Sequence, residues 1–177
     1  MSDINITFAG FGGQGILFMG KVTAYAGLMD GKEVSWFPSY GPEMRGGTAK
    51  CDVCISEDPI SSPIVMTSDV LIAMNKPSYE KYIGKVKPGG IVITDSTMVT
   101  DIAIREDIKT FSIPATKLAE EQDLKGLANI IVLGKLFKET DFCKKESLEK
   151  GIGKSVSARK EHLLKANLKA IDLGETL

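Results

Sequence analysis

A glycine cluster near the start of the chain is the first feature whose residue types and spacing suit a binding function. Residues 10–15 read GFGGQG, match the G-x-G-x-x-G pattern, and lie between a predicted strand and a predicted helix. Such a turn lets another group approach the backbone closely, and its amides point outward from the positive end of the helix. The candidates for binding a phosphate or a partner's carboxylate are therefore Gly12, Gly13, Gln14 and Gly15.

The second predicted strand lacks the residue that a dinucleotide site of this kind requires. Nicotinamide and flavin sites place Asp or Glu at the end of that strand, where the carboxylate binds ribose hydroxyls. Here residues 36–39 at its end read WFPS, and Asp30 and Glu33 precede the strand. The pattern disfavours a nicotinamide or flavin dinucleotide. It leaves open a phosphate-binding turn, or glycines that only permit a tight turn and close helix packing.

A second loop, residues 39–47, is rich in turn residues and follows that strand. Arg45 carries a planar guanidinium that suits a phosphate or a carboxylate. Glu43 is placed either to hold Arg45 or to pair with it in an exposed salt bridge of little energy. Tyr40 is a candidate apolar anchor at an interface. A packed loop without a ligand is the alternative for all three side chains.

The three cysteines and the single histidine predict neither a metal site nor a catalytic centre. Cys51 and Cys54 lie three residues apart on a predicted strand, so their sulfurs point to opposite faces. With Cys143 the chain has an odd number of cysteines, unlike a secreted disulfide framework, and fewer than the four thiolates of a usual iron–sulfur cluster. His162 lies on a predicted helix without an evident partner and is expected at the surface. We predict no catalytic residue and no metal ligand.

The elements that position the two loops alternate between strands and helices. Predicted strands cover residues 4–9, 34–37, 48–56, 70–74, 91–94 and 110–113, and predicted helices cover 15–28, 77–84, 127–137 and 156–173, with another opened by Pro114 and a mixed-charge helical stretch over 135–150. Strand 48–56 alternates, which predicts one buried face and an antiparallel or edge position. The order predicts a single α/β domain over residues 1–177, a mostly parallel sheet flanked by helices with a Rossmann-like start.

Position in this predicted fold adds two expectations. Loops that follow parallel strands leave at the carboxyl edge of the sheet, the usual ligand edge, so residues 10–15 and 39–47 should lie near one another. Asn129 is a polar residue within an apolar helix. We expect it to hydrogen-bond to a loop or a partner, or to be packed without a chemical role.

Composition excludes two classes of partner. The chain has 177 residues, 22 of them basic and 23 acidic, without the basic surplus of a non-specific nucleic-acid binder. No apolar segment is long enough to span a bilayer, and the first residues lack the basic start of a signal peptide. We expect a cytoplasmic protein that binds neither nucleic acid nor a membrane.

The two loops, in this order and spacing, resemble those of the gamma subunit of 2-oxoacid:ferredoxin oxidoreductases, the pyruvate/ketoisovalerate/2-oxoglutarate oxidoreductase gamma-type domain. The resemblance rests on residues 8–15 and 39–47 and continues through 69–75, 87–90 and 129–134, so it covers nearly the whole chain. It implies an accessory subunit of a hetero-oligomeric enzyme that oxidatively decarboxylates a 2-oxoacid to an acyl-coenzyme A and reduces ferredoxin. Among substrates, 2-oxoglutarate is preferred over branched-chain 2-oxoacids and pyruvate.

The resemblance also implies cofactors, partners and site residues. Thiamine diphosphate and iron–sulfur clusters are expected on catalytic alpha and beta subunits, and on a ferredoxin-like delta subunit where the complex has one. The thiamine signature, Gly-Asp-Gly followed later by Asn, is absent here, so we expect no cofactor on this chain and no activity without its partners. The residues named above in the two loops become candidates for binding coenzyme A or a partner subunit. A stand-alone nucleotide-binding or regulatory module is the alternative.

Overall fold

The computed structural model describes residues 3–39, 48–156 and 161–177. Its sheet consists of β1 Ile4–Phe11, β2 Glu33–Ser39, β3 Thr48–Ser56, β4 Ser68–Ala73, β5 Val86–Asp95 and β6 Lys109–Ile113. The helices in these ranges are α1 Ile16–Met29, α2 Lys76–Tyr82, α3 Ala115–Glu121, α4 Ala128–Thr140, α5 Lys145–Ser155 and α6 Glu161–Glu175. None of the described helices is both long and apolar enough to cross a membrane.

The sheet has the strand order β2-β3-β1-β4-β5-β6. Neighbours from β1 to β6 pair in parallel, whereas β3 is antiparallel to both β1 and β2. β1 therefore lies where the chain connections change from one side of the sheet to the other, and in α/β folds ligands bind outside the carboxyl ends of the strands at such a point. The predicted α/β class, with a mostly parallel sheet and a Rossmann-like start, is confirmed.

Helices cover both faces of the sheet, and they do so unequally. On one face, Ile6, Phe8, Ile72 and Ile93 form a large core with the apolar sides of α1, α4, α5 and α6. On the other face, a smaller cluster around Tyr79 joins α2 to β4 and β5. α1 and α4, which pack in the larger core, both begin at the carboxyl edge of the sheet. The packing of this core therefore fixes the positions of the loops that precede them.

β3 differs from its sequence-based prediction in one respect. It is antiparallel, as one alternative had it, but it is not at the edge because β2 covers its outer side. Its polar face is buried as well: Asp52 is only 2% exposed. The carboxylate is tolerated there because the Thr7 hydroxyl donates to it at 2.8 Å and the Lys50 ammonium pairs with it at 2.6 Å. The prediction of a single buried face is therefore wrong.

The last third differs from the predicted helices at two places. The predicted helix over 156–173 is wrong at Val156, which is the extended residue that ends α5, and the described part of α6 is Glu161–Glu175. The predicted stretch over 135–150 is interrupted at Asp141, whose left-handed backbone (φ 45°) ends α4. Pro114 precedes α3 as its capping residue, one position before the predicted one.

Helices α4 and α6 cross with their backbones in direct contact. A Cβ on Gly134 would overlap the carbonyl oxygen of Ile171, and one on Gly174 would overlap the carbonyl oxygen of Ile131. Glycine is required at both positions because the two helices approach so closely. The backbone conformation does not require it, since both residues are helical. This close crossing fixes the position of α4, whose first turn contacts the loop after β1.

We predict that Gly134→Ala destabilises the chain, because the added methyl group must push α4 and α6 apart. Overpacking of this kind costs about 1–3 kcal/mol. The matched control is Gly153→Ala in α5, where an added Cβ meets nothing within 4 Å. That change should stabilise by about 0.5–1 kcal/mol through helix propensity. Urea unfolding of both variants measures the difference, and equal free energies of unfolding would contradict the crossing.

Candidate functional site

A crevice of about 340 Å³ opens at the carboxyl edge of the sheet, where β1 and β4 end side by side. We call it the switch-point crevice. Its lining includes Gly13 and Gln14 from the turn after β1, Met74 after β4, Thr116 in α3, and Asn129 in α4. The crevice thus lies at the position that α/β folds most often use for ligands.

The turn after β1 brings the chain sharply from the sheet into α1. Gly13 (φ 93°) and Gly15 (φ 72°) both adopt left-handed backbone conformations, which glycine reaches without steric cost. Gly15 is the residue that precedes the first turn of α1. It must also lack a side chain, because a Cβ there would overlap the carboxamide of Asn129. Only glycine fits at position 15.

Gln14 fastens this turn to the end of β4. Its carboxamide oxygen accepts the Phe11 N–H at 2.7 Å and the Asn75 carboxamide at 3.1 Å, and its nitrogen donates to the Met74 carbonyl at 2.9 Å. Asn75 is buried and caps α2, since its oxygen accepts the Ser78 N–H at 2.9 Å. The Gln14 side chain is therefore occupied as a brace, and what the turn presents to a ligand is its backbone.

Two long helices begin at the crevice without a capping side chain. Within the described part of the chain, no side chain accepts from the first amides of α1, which has 14 residues, or of α4, which has 13. By contrast, Asp95 accepts the Thr116 N–H of α3 at 3.2 Å. Uncapped helix starts carry partial positive charge and free N–H donors, so this corner favours a negatively charged group.

Two charged side chains at the rim of the crevice add to the electrostatic field of the helix starts. Lys125 is exposed and lines the crevice together with Glu120, so the rim carries one charge of each sign. The Thr116 hydroxyl donates to the fully buried carboxylate of Asp95, which fixes the start of α3 against β5. The rim charges offset each other, and the helix starts determine the preference for an anion.

Asn129 links α4 to the glycine turn. Its side chain is 5% exposed, and its nitrogen donates to the Gly15 carbonyl at 3.2 Å. The expected hydrogen bond from Asn129 to a loop is confirmed. Its carboxamide oxygen is buried and has no hydrogen-bond partner within the described residues, which is unusual for a buried polar atom.

The structure describes only part of the site that the sequence predicts. Gly12, Gly13, Gln14 and Gly15 form the turn just described, whereas Tyr40, Glu43 and Arg45 lie outside the described residues. The two ends of their loop are described. Ser39 pairs with Lys50 and Thr48 pairs with Phe11, so both ends of the loop lie at the same edge of the sheet as the glycine turn.

Sequence reasoning missed four residues that shape the crevice: Asn75, Asp95, Thr116 and Lys125. A signal for two of them was present. Asn75 and Asp95 are the polar residues nearest the carboxyl ends of two buried parallel strands, where side chains face the ligand edge. No comparable pattern marks the other two, because their place depends on how α3 packs.

The three cysteines are buried and are expected to be unreactive. Cys51 faces α1, with its thiol 3.5 Å from the Ile16 carbonyl, whereas Cys54 lies on the opposite face of β3 beside Ser35. The predicted divergence of the two sulfurs is confirmed. Burial raises the pKa of the Cys51 thiol to about 12 and that of Cys143 to about 12, and it also raises the pKa of Cys54. Little reactive thiolate exists at neutral pH.

A second cavity, of about 330 Å³, lies at the amino edge of the sheet. Its polar groups are bonded to each other. The Asp69 carboxylate accepts the Asn5 N–H at 2.8 Å and pairs with Lys87 at 2.8 Å, and the Ser56 hydroxyl donates to Asp3 at 2.6 Å. These groups have little left to offer a ligand, so the carboxyl edge is the better candidate.

Comparison with known proteins gives a family-level match over almost the whole chain. Residues 5–177 match the family model described as pyruvate ferredoxin/flavodoxin oxidoreductase. A 2-oxoglutarate synthase subunit KorC of Methanocaldococcus jannaschii is 42% identical over 154 residues, which are 85% of this chain and 82% of the relative. The chain spans only 27% and 36% of two ketoisovalerate oxidoreductase subunits VorA from Methanothermobacter species that it also matches.

Solved structures share the fold. The gamma subunit of a keto/oxoacid ferredoxin oxidoreductase from Geobacter sulfurreducens superposes with a TM-score of 0.85 at 31% identity, covering 98% of this chain and 96% of that one. A 2-oxoglutarate:ferredoxin oxidoreductase from Magnetococcus marinus, with 2-oxoglutarate, coenzyme A and succinyl-CoA bound, gives a TM-score of 0.88 at 29% identity. The match covers 99% of this chain and 31% of that one.

We predict that Gln14→Leu destabilises the chain by about 1–3 kcal/mol, because Met74 and Asn75, which are both buried, each lose a hydrogen-bond partner. The control is Gln122→Leu, which changes the only other glutamine at an exposed position. Chemical unfolding followed by circular dichroism compares the two. If both variants unfolded at the same denaturant concentration, Gln14 would not be the brace described here.

Proposed function

The chain belongs to the pyruvate ferredoxin/flavodoxin oxidoreductase family, and we propose that it is the gamma-type accessory subunit of a 2-oxoacid:ferredoxin oxidoreductase. The observation that carries this proposal is the match over residues 5–177, together with relatives of similar length that are named as subunits of such enzymes. In this role the chain takes part in oxidative decarboxylation of a 2-oxoacid to an acyl-coenzyme A, with reduction of ferredoxin, as part of a larger complex.

A stand-alone nucleotide-binding or regulatory module is not favoured. Relatives of similar length are named as subunits of a 2-oxoglutarate synthase and of 2-oxoacid oxidoreductases. The glycine turn, which was the only reason for that alternative, has its central side chain committed to bracing β4. The strand that would supply the ribose-binding carboxylate of a dinucleotide site ends instead in Pro38 and Ser39.

Among substrates we place 2-oxoglutarate first. The relative named 2-oxoglutarate synthase subunit is 42% identical and is matched over most of both chains. The two VorA relatives are matched over only 27% and 36% of their length, and a pyruvate/ketoisovalerate common subunit gamma, matched over most of its length, is only 29% identical. Branched-chain 2-oxoacids and pyruvate follow. Substrate choice is made near the thiamine on partner subunits, so this ranking is inherited from the relatives.

The chemistry is divided between chains. We assign thiamine diphosphate and the iron–sulfur clusters to alpha and beta subunits, and to a delta subunit where the complex has one. The thiols of this chain support that assignment, since Cys51 and Cys54 face opposite sides of β3 and burial raises their pKa values. The contribution of this chain is then shape, backbone donors and an assembly surface at its carboxyl edge.

Coenzyme A is the ligand that we assign to that edge. A neighbour of the same fold has been solved with coenzyme A bound, and the uncapped starts of α1 and α4 suit one of its phosphate groups. The backbone amides around Gly12, Gly13 and Gly15 are the proposed donors. Tyr40, Glu43 and Arg45, whose loop begins and ends at this edge, complete the proposed site for coenzyme A or a partner subunit.

We predict that the purified chain alone turns over no 2-oxoacid with a viologen dye as electron acceptor. The thiamine signature is missing from its sequence, and we place the clusters on other subunits. Adding purified catalytic subunits should restore turnover, measured as dye reduction with 2-oxoglutarate and coenzyme A. Dye reduction by this chain alone would contradict the accessory role, and the complex assayed without it serves as the control.

We predict that Arg45→Ala in the assembled complex raises the KM for coenzyme A, or weakens subunit association, by about tenfold to a hundredfold. A lost charge-assisted hydrogen bond costs about 1.5–3 kcal/mol, which corresponds to that factor. Arg45→Lys keeps the charge but loses the fork geometry, so it should fall between wild type and Arg45→Ala. Steady-state kinetics with varied coenzyme A and analytical ultracentrifugation measure the two effects. A sharp fall in melting temperature with unchanged kinetics and assembly would make Arg45 structural.

A further inference from the structure

The side of the sheet formed by β2 exposes large apolar side chains. Trp36 and Phe37, in β2, are 39% and 42% exposed, and Leu28, in the last turn of α1, is 49% exposed. Among the described strands β2 pairs only with β3, so it forms one edge of the sheet. We call Leu28, Trp36 and Phe37 the β2 edge patch.

Leu28 lies on the side of α1 that is close to β2. Its neighbour Gly27 packs against that strand, since a Cβ on Gly27 would lie 2.8 Å from Cγ2 of Val34. Helix α5 packs instead against the backbone of Val22 and Ala26. These two residues precede Leu28 by six and two positions, so they lie on the opposite side of the helix. The patch therefore extends from the helix to the strand.

The patch includes both faces of the edge strand. Trp36 lies on the face covered by α1, where a Cβ on Gly20 would be 3.1 Å from its Nε1 atom. Phe37 points to the other face because side chains alternate along a strand. The only charged residue of β2 is Glu33, at its first position. An occupant of this edge must therefore be apolar and must contact the strand from both faces.

Pro38 determines how the edge makes contact. Proline donates no hydrogen bond to a strand ladder, and native sheets use it on edge strands to prevent pairing with another chain. Its place beside Phe37 in β2 disfavours addition of a further strand. It disfavours equally a second copy of this chain joined edge to edge. The edge is suited to contact through side chains.

The size of the patch indicates that its partner also contacts a second surface. At typical side-chain areas, the three residues leave roughly 250 Å² of apolar surface exposed. A specific interface takes about 800 Å² from each partner, so the patch supplies about a third of that area. β2 ends at Ser39, where the loop that we assign to coenzyme A or a partner subunit begins. A subunit that contacts this loop has the β2 edge directly beside it.

We infer that the β2 edge patch is a contact surface for a catalytic subunit of the oxidoreductase complex, which packs apolar side chains against Leu28, Trp36 and Phe37. The inference rests on the function proposed above, from which it takes its partner. It extends the assembly surface from the carboxyl edge of the sheet along its β2 side. Trp36 is the expected centre of the contact, because tryptophan is among the residues that most often dominate the energy of an interface.

Trp36 is the only tryptophan of the chain, which provides a selective probe. The full chain is produced with fluorotryptophan, so that it carries one ¹⁹F NMR signal, and unlabelled purified catalytic subunits are added. The difference in chemical shift between H₂O and D₂O reports exposure of the indole to water, and it should disappear on assembly. A complex that forms while this difference persists would overturn the inference. A signal that changes with the concentration of this chain alone would assign the patch to a second copy and overturn the named partner.

Two variants measure the contribution of the patch to assembly. Leu28→Lys places a charge at an exposed helix position where both residue types have similar propensity, so the fold should be kept. It should weaken association with the catalytic subunits about tenfold or more, as should Phe37→Lys. The control is Ile104→Lys, at a residue 66% exposed in the connection between β5 and β6, which form the opposite side of the sheet. That variant should associate like the wild-type chain in calorimetric titrations.

The titrations distinguish failure of this inference from failure of the proposed function. Wild-type association that neither Leu28→Lys nor Phe37→Lys weakens would refute the patch and leave the proposed function intact. A wild-type chain that does not associate with the catalytic subunits would contradict the proposed function, and the partner named here would fail with it. The ¹⁹F measurement uses the unsubstituted sequence, so it decides the question even if a variant folds poorly.

Discussion

The hydrogen bonds of the Gln14 carboxamide are the interaction on which the carboxyl edge of this protein depends. They join the turn after β1 to the residues after β4, which are neighbours in space but about sixty positions apart in the chain. In a sheet that changes direction at β1, the two loops would otherwise diverge and leave an open gap. With the brace in place, the gap becomes a crevice with fixed walls. Asn75 extends the same network into α2, so the starts of two helices are set by one side chain.

The antiparallel strand β3 sets the distance between the two glycine-rich loops. In a wholly parallel sheet, the loop after β2 would leave beside the turn after β1. Here β3 stands between them, so Ser39 is two strand spacings from Ala9, about 9–10 Å. The loop must return to Thr48, which is paired with Phe11. Thr48 therefore begins β3 directly beside the glycine turn, so both ends of the second loop lie at the same edge of the sheet as that turn.

Much of this arrangement was predictable, and the failures have physical causes. The strands and the glycine turn follow from local signals: alternation, short apolar runs, and glycines at the change from strand to helix. The divergence of Cys51 and Cys54 follows from strand geometry alone. The inward position of β3 does not, because which strand covers its outer side is decided by pairing with distant residues. The break between α4 and α5 was missed because Asp141, which adopts the left-handed conformation there, is not the glycine that usually marks such a helix end. The partners of Gln14 could not be identified, since a carboxamide gives no indication of which distant groups it will bond.

The corner formed by α1, α4 and α6 departs from the rules that the rest of the described structure obeys. Elsewhere, buried charges are matched: Asp52 has Thr7 and Lys50, and Asp95 has the first turn of α3. The other unpaired side-chain atoms are single hydroxyls, on Ser35, Ser78 and Thr110, at scattered positions. At this corner, two uncapped helix starts occur together with the unpaired carboxamide oxygens of Asn129 and Asn167. Natural sequences break local rules mainly where a function compensates. The groups left unsatisfied on the crevice side are the N–H donors of the helix starts, whereas the carboxamide oxygens are enclosed by protein. The corner is therefore suited to an anion in front of Asn129.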